Sequence, residues 1–204
     1  MSTEVIGQSY EGRDMRVIKI CGGGECGKKP GMYIEGGIHA REWISPAVVT
    51  YMMRELTENI TGQQELVDEL DWYIVPSVNP DGYVYTWSDD RLWRKTRSPN
   101  EGSPCMGTDP NRNFDFQWAT VGTSDQPCSE TFHGSEPFSE AETRNVRDFV
   151  LPLKDQLKHF IDVHSYSQIV ITPWGYTSEV PDDWDEVGKM RNHGTTGSTI
   201  TCTS

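Results

Sequence analysis

In the stretch GGIHAREWISPA (Gly36–Ala47) a histidine and a glutamate stand three residues apart, His39 and Glu42, with Arg41 between them and Trp43 beside them. An imidazole and a carboxylate at that spacing can grip one metal ion from a single turn of chain. A distant histidine would complete a trio, and His164 is the candidate. Two imidazoles, one carboxylate and an open position make the ligand set of a catalytic zinc. Such an ion lowers the pKa of a bound water to about 7 and polarises a carbonyl, so the chemistry would be hydrolysis near neutral pH. A pattern as short as H-x-x-E also arises by chance. The remaining histidines read differently. His133 and His193 lie in polar stretches and read as solvated, and His159 reads as a satisfied core histidine within a strand.

A trio drawn from distant parts of the chain needs elements to bring it together. Asp14–Ile20 and Gly31–Gly37 read as strands that stop at glycines. His39 therefore falls just past a strand's C-terminal end. Ser45 and Pro46 read as N-cap and first position of a helix, with Val48, Val49, Met52, Met53 and Leu56 on one face and Gly62 as its stop. DWYIVPSVNPDG (Asp71–Gly82) reads as a buried strand running into a turn. From Tyr83 to Phe138 there is little periodicity, and long irregular segments in compact domains are usually functional. Ser139 and Glu142 suggest a capping box ahead of a helix through Val146, Phe149 and Val150. HFIDVHSYSQIVITPWG holds another strand with His164 near its end, and 182–192 reads as one more helix. Alternating strands and helices give an α/β class: a mixed, mostly parallel sheet flanked by helices. In such sheets ligands gather beyond the carboxyl ends of strands, where His39, Glu42 and His164 all fall.

Composition sets bounds on the function. At 204 residues the chain fits a single domain, and no apolar run is long enough to span a membrane. Lys and Arg number 18 against 31 Asp and Glu, a net charge of −13, which argues against nucleic-acid partners and for solubility. The five cysteines cannot all pair with one another. Cys105 and Cys128 flank the irregular region and read either as a disulfide or as two buried thiols; Cys21 and Cys26 read as a local disulfide or as unpaired, ahead of a metal pair. The first residues, MSTEVIGQSYEGRD, show neither the basic nor the apolar region of a signal peptide.

Taken together, GGIHAREWISPA, NPDGY, RLWRKTRS, DPNRNFD, PCSETFHG and HSYSQ, in that order, resemble the zinc metallocarboxypeptidases of the carboxypeptidase A/B type over Tyr10–Tyr176. The resemblance implies that His39, Glu42 and His164 hold one Zn2+ per chain. It implies that Asn111 and Arg112 grip the free C-terminal carboxylate of a peptide, which suits a guanidinium fork and an amide donor. Arg94 would stabilise the oxyanion, Arg41 and Tyr166 would line the substrate groove, and Asp109 would orient His39. Lys95, Arg91 and Arg97 are left as surface charge. The expected partners are peptide and protein substrates with a free C-terminus, with no nucleic acid and no membrane, and the protein itself is expected to be a monomer. The resemblance also favours a Cys105–Cys128 disulfide and a secreted, extracellular protein.

The family pattern further implies a general-base glutamate, a mobile tyrosine and a pocket-floor residue, all beyond the last matching motif. After Tyr176 none has a counterpart, since Glu179 and Glu186 lie too early. Residues 1–204 are therefore expected to be a partial catalytic domain. The expected function is removal of C-terminal residues from peptides; the alternative is a fragment that binds zinc and peptide tails without turnover.

Overall fold

The computed structural model describes residues 1–167, 169–182, 184–185 and 200–201. The strands are β1 (Ser2–Gln8), β2 (Asp14–Cys21), β3 (Gly31–Gly36), β4 (Asp71–Val75), β5 (Leu157–Val163), β6 (Val170–Ile171) and β7 (Ile200–Thr201). They form one mixed sheet in the order β1-β2-β4-β3-β5-β7-β6. β3 is parallel to both β4 and β5 at its centre, and β2 runs antiparallel to β4. The helices are α1 (Ile44–Glu58), α2 (Ile60–Glu69), α3 (Pro80–Ser88) and α4 (Ala141–Val150). Among the described residues no helix is long and apolar enough to cross a membrane.

The sheet is covered on both faces because its strands are apolar at alternate positions in two phases. Ile20, Ile34, Trp72, Ile74, Ile161 and Val163 pack with Val49, Leu56 and Val67 of α1 and α2. The intervening Met15, Val17, Tyr33, Tyr73 and Val75 pack with Val146 of α4, with Phe149 and Val150 against the same cluster.

Several local signals were read differently by the fold. Ser45 does not cap α1, whose N-cap is Trp43 with no side-chain bond. Its hydroxyl instead accepts from Gly37 N at 2.8 Å and donates to the carbonyl of Val163. Gly62 does not stop a helix but lies inside α2. NPDG is the start of α3, with the Asn79 side chain accepting from Gly82 N, rather than a turn. The polar N-terminus is β1, an edge strand whose pairing with β2 supplies the order that periodicity does not show. The expected helix over 182–192 falls mostly outside the described residues, as do His193 and Cys202.

The capping box at Ser139 and Glu142 does not form. The N-cap of α4 is Glu140, and Glu142 is fully buried with Oε1 accepting from Tyr10 N at 3.1 Å. Its Oε2 has no partner. Burial, reinforced by the charges of Glu140 and Asp81, pushes this carboxyl up to about 7. A buried acid held above its unfolded value binds its proton more tightly when folded. Its stabilising contribution is therefore complete below the unfolded pKa near 4.5 and lost as pH rises to about 7. Stability should fall by roughly 3 kcal/mol across that window. Glu142→Gln should flatten the slope, raising Tm at pH 8 relative to the parent; melts from pH 4.5 to 8 would show it.

Both pairs of cysteines are joined, Cys21 to Cys26 and Cys105 to Cys128. The second closes a loop of 23 residues through the irregular region, worth about 3 kcal/mol in the loop-entropy view. Replacing both of its cysteines with alanine should lower Tm by about 6–12 °C, measurable in a thermal melt.

Candidate metal centre

The GG of GGIHAREW sits where β3 meets the site. Gly37 adopts φ +69°, the left-handed conformation that turns the chain out of the strand. A Cβ on Gly36 would come within 2.8 Å of both Ser45 Oγ and Val49 Cγ2, so only glycine lets α1 pack this close. Ser45 then ties the end of β3 to the end of β5 through its bonds to Gly37 and Val163. That tie brings His39 and Glu42, from the loop after β3, beside His164, which follows β5. Asn79 buttresses the same loop, donating to the carbonyls of Ile38 and Lys95 at 3.3 and 2.9 Å. Ala40 N donates to the Arg94 carbonyl at 3.1 Å, joining the Arg94 segment to the His39 turn.

One ligand atom from each of His39, Glu42 and His164 lies within 4.8 Å of the others. His39 Nδ1 and Glu42 Oε1 are 2.9 Å apart, as are His164 Nδ1 and Glu42 Oε2. The outer nitrogens are backed by carboxylates. His39 Nε2 meets Asp109 Oδ1 at 3.0 Å, and His164 Nε2 meets Asp162 Oδ2 at 2.7 Å. A neutral imidazole that donates from Nε2 has only a lone pair at Nδ1. Lone pairs then face the Glu42 carboxylate, an arrangement that a cation between them satisfies. The donor set of two imidazole nitrogens and a carboxylate suits zinc.

The electrostatics favour a cation. Burial alone would raise the Glu42 carboxyl, but hydrogen bonds to His164 and His39 outweigh it and hold Glu42 well below the usual carboxylate range. Burial would likewise raise Asp109, and His39 and Arg94 hold it low instead. His164, which burial alone would lower, is pushed up to about 10 by Asp162 and Glu42.

The other expected site residues are distributed around the trio. Arg94 donates from Nε and Nη2 to Asp109 Oδ2 at 3.1 and 2.7 Å, which points Nη1 at the trio, 3.2 Å from His39 Nδ1. Asn111 Nδ2 lies 3.4 Å from His164 Nε2, so Asn111 stands beside the second ligand. Arg112 donates from Nε and Nη1 to the carbonyls of Gly122 and Asn111 at 2.9 and 3.0 Å. Arg41 donates from Nη1 to Glu130 at 3.0 Å and to the Leu92 carbonyl at 3.2 Å. Tyr166 is 95% exposed.

The irregular segment that carries these residues is held by buried polar side chains. Asn113 donates to the carbonyls of His133 and Glu136 and accepts from Glu140 N and Thr143 Oγ1. The basic cluster around Arg94 is a solvated face only in part: Arg91 is exposed, as expected, while Lys95 is not. Lys95 is buried and donates to the Pro127 carbonyl at 2.6 Å. Arg97 lies over the rings of Tyr85 and Trp93, and Arg91 over Trp43. His133 is half-buried, packed between Trp118 and Phe132. The side chain that sequence reasoning missed is Asp162. Its signal, an Asp two residues before a candidate ligand at a strand end, was read only as part of a buried strand.

A mixed sheet flanked by helices thus carries, beyond its parallel strands, a two-histidine, one-glutamate cluster that could hold a metal ion. Residues 1–201 match the family model described as zinc carboxypeptidase, and the chain belongs to that family. It is 50% identical over 191 residues to carboxypeptidase B of Astacus astacus, covering 93% of this chain and 62% of the relative. With carboxypeptidase B of Rattus norvegicus it shares 45% over 193 residues, 93% of this chain and 46% of that protein. The chain thus spans roughly half to two thirds of the length of these relatives. The solved structure of bovine thrombin-activatable fibrinolysis inhibitor in complex with tick carboxypeptidase inhibitor superposes with TM-score 0.85 at 37% identity, covering 100% of this chain and 69% of that one. Carboxypeptidase A from Helicoverpa armigera superposes with TM-score 0.90 at 29% identity, over 99% of this chain and 52% of that one.

Proposed function

We propose that this chain carries the metal-binding and tail-binding part of an exopeptidase that hydrolyses the C-terminal peptide bond of peptides and proteins. The observation that supports this best is the convergence of His39, Glu42 and His164, with one ligand atom of each within 4.8 Å of the others and Asn111 3.4 Å from His164. His39, Glu42 and His164 would hold one Zn2+, which when bound lowers the pKa of a water to about 7 and polarises a carbonyl. Asp109 fixes the tautomer of His39 by accepting from Nε2. Arg94, anchored by two donors on Asp109, presents Nη1 where an oxyanion beside the metal would form. Asn111 and Arg112 would take the free carboxylate of the substrate, which restricts the reaction to chain ends. Arg41 and Tyr166 would border the groove for the preceding residues. Residues 1–204 would then be part of a catalytic domain working as a monomer, and the two disulfides support a secreted, extracellular life.

A second reading is supported by the carboxylates at the trio. Asp109 and Asp162, both fully buried, are each committed to an imidazole. On that reading the chain binds zinc and peptide tails without turnover. Metal analysis of the purified chain together with a peptide assay separates the two. About one zinc per chain with chelator-sensitive release of the last residue from blocked dipeptides ending in Phe, Leu, Arg or Lys supports the exopeptidase. Zinc with tail binding and no release supports the second reading, and absence of zinc overturns both.

A further inference from the structure

We propose that Asp162 is a positioning residue for the second imidazole ligand: buried behind His164, it holds Nε2 and so turns Nδ1 toward the metal position. This rests on the metal reading above. The first ground is energetic. Asp162 is fully buried, and neither carboxylate oxygen has an aligned hydrogen-bond partner. Burying a carboxyl group in that condition is costly unless a specific interaction offsets it. Its neighbourhood makes the cost larger. Glu35, on β3, is its partner in the parallel register and is also fully buried. Burial first, and then the charge of Asp162, push the Glu35 carboxyl well above its usual range, so Glu35 stays protonated and takes the Tyr33 hydroxyl at 2.7 Å.

The second ground is geometric. Side chains two apart on a strand point the same way. Asp162 and His164, at the end of β5, therefore lie one behind the other, with Oδ2 and Nε2 in ion-pair contact at 2.7 Å. The amide of Asn111 lies farther from that nitrogen, at 3.4 Å. Asp109 stands behind His39, with Oδ1 hydrogen-bonded to Nε2 at 3.0 Å. Each imidazole thus has its own buried carboxylate, and the sequence carries the two by different routes: Asp109 from the long irregular segment, Asp162 from the strand itself. A carboxylate behind a ligating imidazole fixes the ring's tautomer and raises its basicity.

The test is zinc affinity by chelator competition on the purified chain, for the parent, Asp162→Asn, Asp162→Ala and, as a control away from the site, Glu142→Gln. Asp162→Asn should weaken zinc binding by roughly 10–100-fold. The melting temperature of each metal-free variant, measured alongside, separates lost affinity from lost fold. Cobalt placed in the same site should show a shifted visible spectrum in this variant, a change that a merely structural role would not produce. Glu142→Gln should alter stability and leave zinc affinity alone. An Asp162→Asn constant within about threefold of the parent overturns the proposal, since loss of a supporting carboxylate costs at least tenfold. A parent chain that takes up no zinc overturns the metal reading and this one with it. Should neither Asp162 variant fold, nitrogen NMR of the zinc-loaded parent decides. A protected proton on His164 Nε2 supports the assignment; a freely exchanging one overturns it.

Discussion

Replacing His164 with alanine should cut zinc content from about one ion per chain to near zero at micromolar free metal. Losing an outer-shell partner costs up to about 100-fold in metal affinity, and losing a ligand itself should cost more. The structure explains why the remaining groups cannot compensate. Glu42 has one oxygen on each imidazole, so removing His164 leaves Oε2 with only the Ser165 amide, at 3.0 Å. His39 and Glu42 then form a two-ligand site that water competes with freely. A second readout comes from linkage. Zinc at 1,000 times its Kd should add about 4 kcal/mol to the folded state, a rise of roughly 8–16 °C in Tm. That rise should vanish in His164→Ala, and in His39→Ala and Glu42→Ala. It should persist in His159→Ala, whose side chain lies earlier on β5 outside the cluster. A zinc-dependent Tm shift that survives His164→Ala would place the metal elsewhere.

The second large effect concerns Arg94. If its Nη1 stabilises charge that develops only during reaction, Arg94→Ala should lower kcat by about 10²–10³-fold with KM little changed. The guanidinium is suited to this because Nε and Nη2 are both spent on Asp109 Oδ2, which fixes the plane and leaves Nη1 facing the trio. Lysine cannot reproduce that fork, so Arg94→Lys should recover little of the loss. Arg94 also supports Asp109, and through it His39, so zinc content must be measured on the same preparation. Retained zinc with reduced turnover assigns the loss to the reaction. Zinc lost in proportion to turnover would reduce Arg94 to a support for Asp109.

Much of the site was legible in the residues. His39 and Glu42 are three apart in a turn that follows a short strand, and His164 follows another; an α/β reading places both strand ends on one edge. The Cys105–Cys128 bond followed from the resemblance, and it is present in the structure. Local chemistry was a poorer guide where tertiary partners competed for the same atoms. Ser45 has the sequence context of an N-cap, yet its hydroxyl bridges Gly37 and Val163. Glu142 has the spacing of a capping box, yet it turns inward to the β1–β2 turn and meets Tyr10 N. Lys95 sits among basic residues that look solvated, yet it is buried beneath the Pro127 carbonyl.

The sequence by itself determined the kinds of group available and the short-range spacing of one ligand pair. It also determined the apolar runs that leave β3 and β4 buried on both faces. Tertiary structure decided which carboxylates stand behind the imidazoles, which acids keep their protons, and which cations are withdrawn from water. The reason is that desolvation and charge pairing depend on neighbours brought close by strand register and helix packing, such as Glu35 beside Asp162 across β3 and β5. Separation along the chain carries almost no information about that closeness, whereas residue type and local period are written in it directly.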